Sequence, residues 1–303
     1  MSQDFHSSWL HRYCLVLACA TLFLVVAGAS VTSNEAGLSV PDWPLSYGKV
    51  MPEMQGGIFY EHGHRMVATT VGFLTVILAI WLWRAEQRVW MKRLGLVAVA
   101  AVIAQGVLGG MTVLFLLPKP VSISHACLAQ LFFSTTCALA LFTSPGWKRG
   151  AQPVDAAGWI ATPQGALIVP MATLCQLALG AAFRHKWLPL WPHALGAAIV
   201  TGIILYAAVF LLVNYPRHQA LRETATALLA ITFVQVFLGV GAYMSRVATA
   251  DAPQPMPVMV WFTVTHVAAG ALTMAFSVLM AIQVRRHVRE DAAHSTLAKV
   301  SYA

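Results

Sequence analysis

Glu61-His62-Gly63-His64-Arg65 stands at the mouth of a long apolar run, residues 65–83. One carboxylate, two imidazoles and a guanidinium lie where a polar loop enters a segment of membrane-spanning length. Ionisable groups are expensive to dehydrate at a membrane boundary and usually serve a function there. The run behind them is one of eight, at roughly 13–33, 65–83, 94–117, 122–143, 161–183, 190–213, 224–244 and 260–284. Each is near the ~20 residues that cross a bilayer as a helix. The chain has 303 residues, 58% hydrophobic and 10% charged, where a soluble domain carries about 25% charged residues. The expected fold is an all-α integral membrane protein with eight transmembrane helices. The net charge of +8 is assigned to membrane-flanking loops rather than to nucleic acid. The first stretch is longer than the apolar region of a usual signal peptide and is expected to be retained.

Orientation follows from the basic residues. With the N-terminus inside, 13 Lys and Arg fall in inner segments and 6 in outer ones: Lys49, Arg65, Lys119, Arg184, Lys186 and Arg246. This bias places both termini in the cytoplasm, in the cell's inner (plasma) membrane. Loop 34–63 is then outer, rich in Gly, Pro and aromatics, and reads as a folded cap. The five cysteines lie inside apolar stretches and read as small core residues.

The runs repeat a pattern. Gln105-Gly-Val-Leu-Gly109, Gln176-Leu-Ala-Leu-Gly180 and Gln235-Val-Phe-Leu-Gly239 each read Q-x-x-L-G, late in the third, fifth and seventh runs. Leu24-Val-Val-Ala-Gly28 is a weaker copy in the first. After each copy the chain crosses the outer side and enters the next run through a histidine: His64, His125, His193 and His266. A small residue follows four positions on (Ala68, Ala129, Ala197, Gly270), with room for a flat macrocycle. The unit is a helical hairpin used four times. Two units make a four-helix bundle, and two bundles, 1–150 and 151–303, are expected to be related by a pseudo-two-fold axis along the membrane normal. The segment 144–160 is the joint.

A single interfacial histidine is ordinarily satisfied by a backbone carbonyl. Four at equivalent positions offer two imidazoles to each bundle interior, where bundles hold cofactors. Two facing imidazoles suit the axial positions of a haem iron, whereas zinc would want three or four ligands. Arg65, Arg184 and Arg246 lie on the outer side, as cations for propionates or as ordinary snorkelling residues. The remaining histidines (His6, His11, His62, His185, His218, His287, His294) read as solvated, His62 being the nearest to the site. Only the first half has an acid before its histidine, as Glu61-x-x-His64-Arg65. The second has Leu190-Trp-Pro-His193 and Thr263-Val-Thr-His266. Glu61 is therefore either an acid/base at one site or a carboxylate stabilised by a helix N-terminus.

These residues, with Leu38-Ser-Val-Pro-Asp-Trp-Pro-Leu-Ser-Tyr47, resemble the haem A synthase family over almost the whole chain. The resemblance implies oxidation of the C8 methyl of haem O to a formyl group, giving haem A, by two successive hydroxylations and loss of water from a gem-diol. It implies that His64 and His125 frame the substrate haem, with Glu61 as catalytic acid/base. It implies that His193 and His266 ligate a haem b that relays electrons. Loop 34–63 has no cysteine, so the chain looks like the family's cysteine-lacking branch. Expected partners are membrane lipid, haem O supplied by a haem O synthase and an electron donor of unassigned identity, with homo-oligomerisation left open. The competing readings are a dihaem membrane cytochrome b confined to electron transfer, and a transporter or assembly factor using histidines to join helices.

Overall fold

The computed structural model describes residues 2–289, with side chains from residue 8 onward. His294 and Lys299, and the side chain of His6, lie outside them. Nine α-helices occur among the described residues: α1 Ser2–Ser33, α2 Gly56–Ala85, α3 Val89–Leu114, α4 Lys119–Thr143, the short α5 Pro145–Lys148, α6 Ile168–Arg184, α7 Leu190–Asn214, α8 Gln219–Ala248 and α9 Pro257–His287. Eight of them, all but α5, are long and apolar enough to cross a membrane. The 25 residues of α4 span roughly 38 Å, more than the ~30 Å hydrocarbon core.

The helices carry apolar side chains all round, as membrane spans do. Phe73, Ile103 and Phe233 are among the large residues left exposed, an arrangement suited to lipid rather than water. Pro120, Pro192 and Pro257 fall in first turns, where the missing N–H would have had no intrahelical partner. Two of the boundaries that differ from the sequence expectation shape the site. The second span begins at Gly56 rather than 65, so Glu61 lies within the helix and one turn before Arg65. The third ends at Leu114 although Leu116 and Leu117 are apolar, because both adopt positive φ (57° and 59°).

Packing follows three buried clusters. Leu17, Val71, Leu78, Leu82, Met91 and Leu139 centre the first, among α1–α4. Ile204, Leu211, Leu221, Leu228, Met280 and Val284 centre the second, among α7–α9. The third, Val25, Phe133, Ala271 and Ala275, joins α1, α4 and α9. Across the seam α4 packs on α9, α1 on α9 and α6 on α4.

The joint is strapped down rather than loose. A two-residue strand β1 (Val154–Asp155) pairs in parallel with β2 (Val288–Arg289) just after α9. The Gln152 N–H donates to His287 Nδ1 (2.9 Å), and His218 Nε2 lies 3.0 Å from the Gln152 carbonyl. Arg286 donates to the Trp147 carbonyl and stacks on its ring. His218 and His287 are 8% and 5% exposed, and His11 lies 3.0 Å from the Ala140 carbonyl through Nδ1. The reading of these three as solvated is therefore corrected. They fasten helix ends, where the unpaired carbonyls and N–H groups of the backbone need partners.

Candidate functional site

Each of the four repeat glycines lies against the histidine of its own hairpin. A Cβ on Gly28 would come 3.0 Å from His64 Cε1. On Gly109 it would be 3.4 Å from His125, on Gly180 2.9 Å from His193, and on Gly239 2.8 Å from His266. The small residue thus makes a slot for an imidazole edge, which is why the two motifs recur together. The expectation that the small residue after each histidine leaves room for a macrocycle needs amendment at Gly270. There a Cβ would meet Gln235 Nε2 at 3.1 Å, so that glycine accommodates the repeat glutamine.

In the second half the glutamines orient the rings. Gln176 Nε2 donates to the His193 carbonyl (2.8 Å) and lies 2.9 Å from His193 Nδ1. His266 Nδ1 is 3.1 Å from the Gln235 carbonyl. A ring nitrogen committed to a carbonyl leaves the other one to act as a ligand, and at His266 that nitrogen lies 3.5 Å from Gln235 Nε2. The His193 and His266 centroids are 6.3 Å apart, with planes at 83°. Two metal–nitrogen bonds of about 2 Å and the half-width of each ring add to about 6 Å, so the spacing fits one iron between them. Phe183 stacks on His193 (6.5 Å, 5°), and Arg246 lies over Phe183 at 5.6 Å.

In the first half, His64 and His125 are near enough to interact electrostatically. The Nδ1 of each is buried, and each ring meets a backbone carbonyl of its own hairpin, Leu24 for His64 and Gln105 for His125. Helix 1 has Leu24 where the other repeats have glutamine, so His64 has no amide equivalent to Gln176. These imidazoles, two in each half and each slotted by a glycine, have the donor set that a haem iron takes. Among the described residues no three His, Cys, Asp or Glu side chains gather as a site for another metal.

Glu61 is 4% exposed and fully engaged. Its Oε2 accepts the Val40 N–H (2.9 Å) and its Oε1 accepts Arg65 Nη2 (2.6 Å). Arg65 Nη1 also donates to the carbonyls of Asp42 and Leu45, at 2.7 Å each. Arg65 is thus occupied in tying loop 34–55 to α2, a role the sequence did not disclose. His62 is not solvated, contrary to expectation: it is 6% exposed and its Nδ1 lies 2.8 Å from Ser46 Oγ. A histidine two residues from the repeat histidine faces a different side of the helix, so the loop covers it. Trp43 lies against Gly110, where a Cβ would meet Trp43 Cδ2 at 2.8 Å. The loop's own turn is held by Asp42, which accepts the N–H of Tyr47 (2.7 Å) and Gly48 (2.8 Å). These bonds, Gly48's first, hold the Asp42 carboxyl below the usual carboxylate range.

Arg184 crosses between the halves. Its Nη2 donates to the Ala29 carbonyl (3.0 Å) and to Ser33 Oγ (2.7 Å) at the end of α1. His185 beside it is half-buried. Burial, and then the neighbouring Arg184 charge, push its imidazole below the ordinary histidine range. Sequence reading missed Ser46, Val40, Phe183 and His185. A serine, an amide, an apolar ring and a loop histidine carry no spacing signal, although the Asp42-Trp43-Pro44 run hinted at a built loop.

Residues 53–188 match the COX15-CtaA family, described as cytochrome oxidase assembly protein. Proteins named haem A synthase are similar along most of the chain. That of Halalkalibacterium halodurans is 26% identical over 78% of this chain and 89% of its own length. That of Alkalihalophilus pseudofirmus is 24% identical over 79% and 86%. A third, from Shouchella clausii, is 34% identical over 35% of this chain and 36% of its own. A multi-pass helical architecture thus goes with sequence similarity to bacterial proteins named haem A synthase.

Proposed function

We propose that this chain is a haem A synthase of the plasma membrane, oxidising the C8 methyl of haem O to a formyl group. The observation that carries the reading is the fourfold glycine slot, which holds one histidine in each of four hairpins of an eight-span bundle. The names of the relatives support the substrate and product. The basic-residue bias supports cytoplasmic termini and sites toward the outer side. The clusters on either side of the seam, and the exchange of α1–α9 for α6–α4 contacts, support two pseudo-symmetric halves divided near residue 150. The absence of cysteine from loop 34–63 supports a mechanism without a loop thiol.

A haem supplies the redox chemistry when bound. His193 and His266 would hold haem b in the second half, with the Gln235 carbonyl and Gln176 fixing the rings. Arg246 and Arg184 would face its propionates. His64 and His125 would frame haem O in the first half. Loop 34–55, fastened through Glu61, Arg65, His62 and Trp43, excludes water from that side. Glu61 holds or moves a proton at the carboxylate that now accepts from Val40 and Arg65. Haem O reaches the chain from a haem O synthase, and electrons come from or go to a separate partner. Extraction of the pigments with mass analysis tests the reading. Purified protein is expected to hold haem O or haem A beside haem B, with a low-spin Soret band. Haem B alone favours the dihaem cytochrome, and protein without haem after expression with ample haem supply sinks both.

A further inference from the structure

The turn that ends α6 belongs by sequence to the second half, yet it is built onto the first. Arg184 anchors it to the end of α1, through the carbonyl next to the glycine that slots His64. The Lys186 carbonyl accepts Lys119 Nζ at 3.0 Å, and Lys119 begins the helix that carries His125. Between these anchors, His185 is near enough to His125 to interact electrostatically.

The turn itself is a helix stop of defined type. The Lys186 N–H donates to the Phe183 carbonyl and the Trp187 N–H to the Ala182 carbonyl, with Lys186 at φ 56°. This position is ordinarily glycine, because a Cβ is disfavoured in the left-handed region. Lys186 occupies it here, with its side chain at the turn. Among the described residues, the two ion pairs are Glu61–Arg65 and Glu86–Arg88. Arg184, Lys186 and Lys119 therefore gather at the seam, with His185 beside them and none of the described carboxylates in an ion pair with them. An uncompensated cationic cluster beside a low-dielectric site attracts an anion.

We infer that the Arg184-His185-Lys186 turn of the second half forms part of the first-half site and binds the carboxylates of the tetrapyrrole substrate. The inference rests on the haem A synthase reading. Arg184 fixes the turn, and His185 and Lys186 contact the ligand together with Lys119. The substrate is then read across the seam, and neither half alone completes the site.

Lys186→Gly is the informative variant, because glycine relaxes the backbone while removing the charge. In the full-length protein in detergent, with haem O as the probe, Lys186→Gly is expected to weaken haem O about tenfold, the loss of one charge-assisted hydrogen bond. Its Tm should be no lower than the parent's, and the haem b Soret band should be retained. His185→Gln should weaken haem O to a smaller extent. Unchanged haem O affinity in both variants, with haem O bound by the parent, overturns the inference and leaves the function reading standing. A parent that binds no haem at all overturns both. A defect seen only when phosphatidylglycerol vesicles replace detergent assigns the cations to a lipid phosphate instead, and overturns the inference as well.

Discussion

In the first half, α2 turns His64 toward α1 and, through Glu61, His62 and Arg65, holds a loop of some twenty residues on another side. In the second half the equivalent helix, α7, follows a tight turn, and His193 is steadied by Gln176 and Phe183 instead. The imidazole slots are the same, so the difference lies in what surrounds them. The second half fixes its rings by hydrogen bonds from within the hairpin, an arrangement suited to a permanent ligand. The first half gives His64 no glutamine amide and adds instead a loop fastened to α2. On the proposed reading, the second half keeps its haem and the first exchanges it.

The comparison breaks most completely if the rings of the two halves are interchangeable. His193→Ala and His266→Ala should each abolish bound haem b, read from the reduced low-spin spectrum. His64→Ala should leave it in place and remove haem A production. Unaltered haem b in both second-half variants would misplace the cofactor.

Glu61 tests what the cover is for. Glu61→Gln keeps an oxygen for the Val40 N–H but cannot exchange a proton, whereas Arg65→Ala releases the loop and spares the carboxylate. If Glu61 does the chemistry, Glu61→Gln should lower haem A formation by about 10²–10⁴-fold with haem still bound. Full activity in Glu61→Gln together with loss in Arg65→Ala would make the pair a loop fastening only.

The slots themselves are graded. Gly239→Ala places a methyl 2.8 Å from His266 Cε1, while Gly109→Ala leaves 3.4 Å at His125. Overpacking of this kind costs about 1–3 kcal/mol, so Gly239→Ala should reduce haem b occupancy markedly. Gly109→Ala should be nearly silent in the same pigment assay.

The smallest effect concerns pH. The Asp42 carboxyl has its folded pKa lowered by the Gly48 and Tyr47 N–H groups. Its contribution is therefore present above the unfolded value, about 4, and is lost as pH falls through the lower folded value. Proteolysis of loop 34–55 should accelerate in that acid window and not at higher pH. Asp42→Asn should remove the pH dependence of cleavage.

Much of the fold was legible because its signals are local. Eight runs of membrane length can only be spans, and four histidines behind four glycines can only be equivalent ends of hairpins. Within the site, the repeat pointed to His64, His125, His193 and His266, and the structure pairs each with the glycine of its own hairpin. The reading of Gly270 was off because a slot filled by a glutamine and one open to a macrocycle demand the same small residue. His62, His218 and His287 were read as solvated because loop position implied water. Each is in fact packed against a segment distant in sequence: Ser46 of the loop, or Gln152 of the joint. Arg65 was read as a propionate cation or a snorkelling residue, and its Nη1 donates to carbonyls 20 and 23 residues upstream.

The sequence by itself determined the membrane class, the number of spans, the repeat and the asymmetry at Glu61, since hydropathy and spacing are properties of consecutive residues. Only the tertiary structure decided how Glu61-His62-Gly63-His64-Arg65 divides its labour. His64 turns to the bundle, while Glu61, His62 and Arg65 hold a loop. It also decided that Arg184-His185-Lys186 lies on the opposite half. Those outcomes depend on which distant N–H, carbonyl or hydroxyl comes within hydrogen-bonding distance, and no spacing along the chain encodes that.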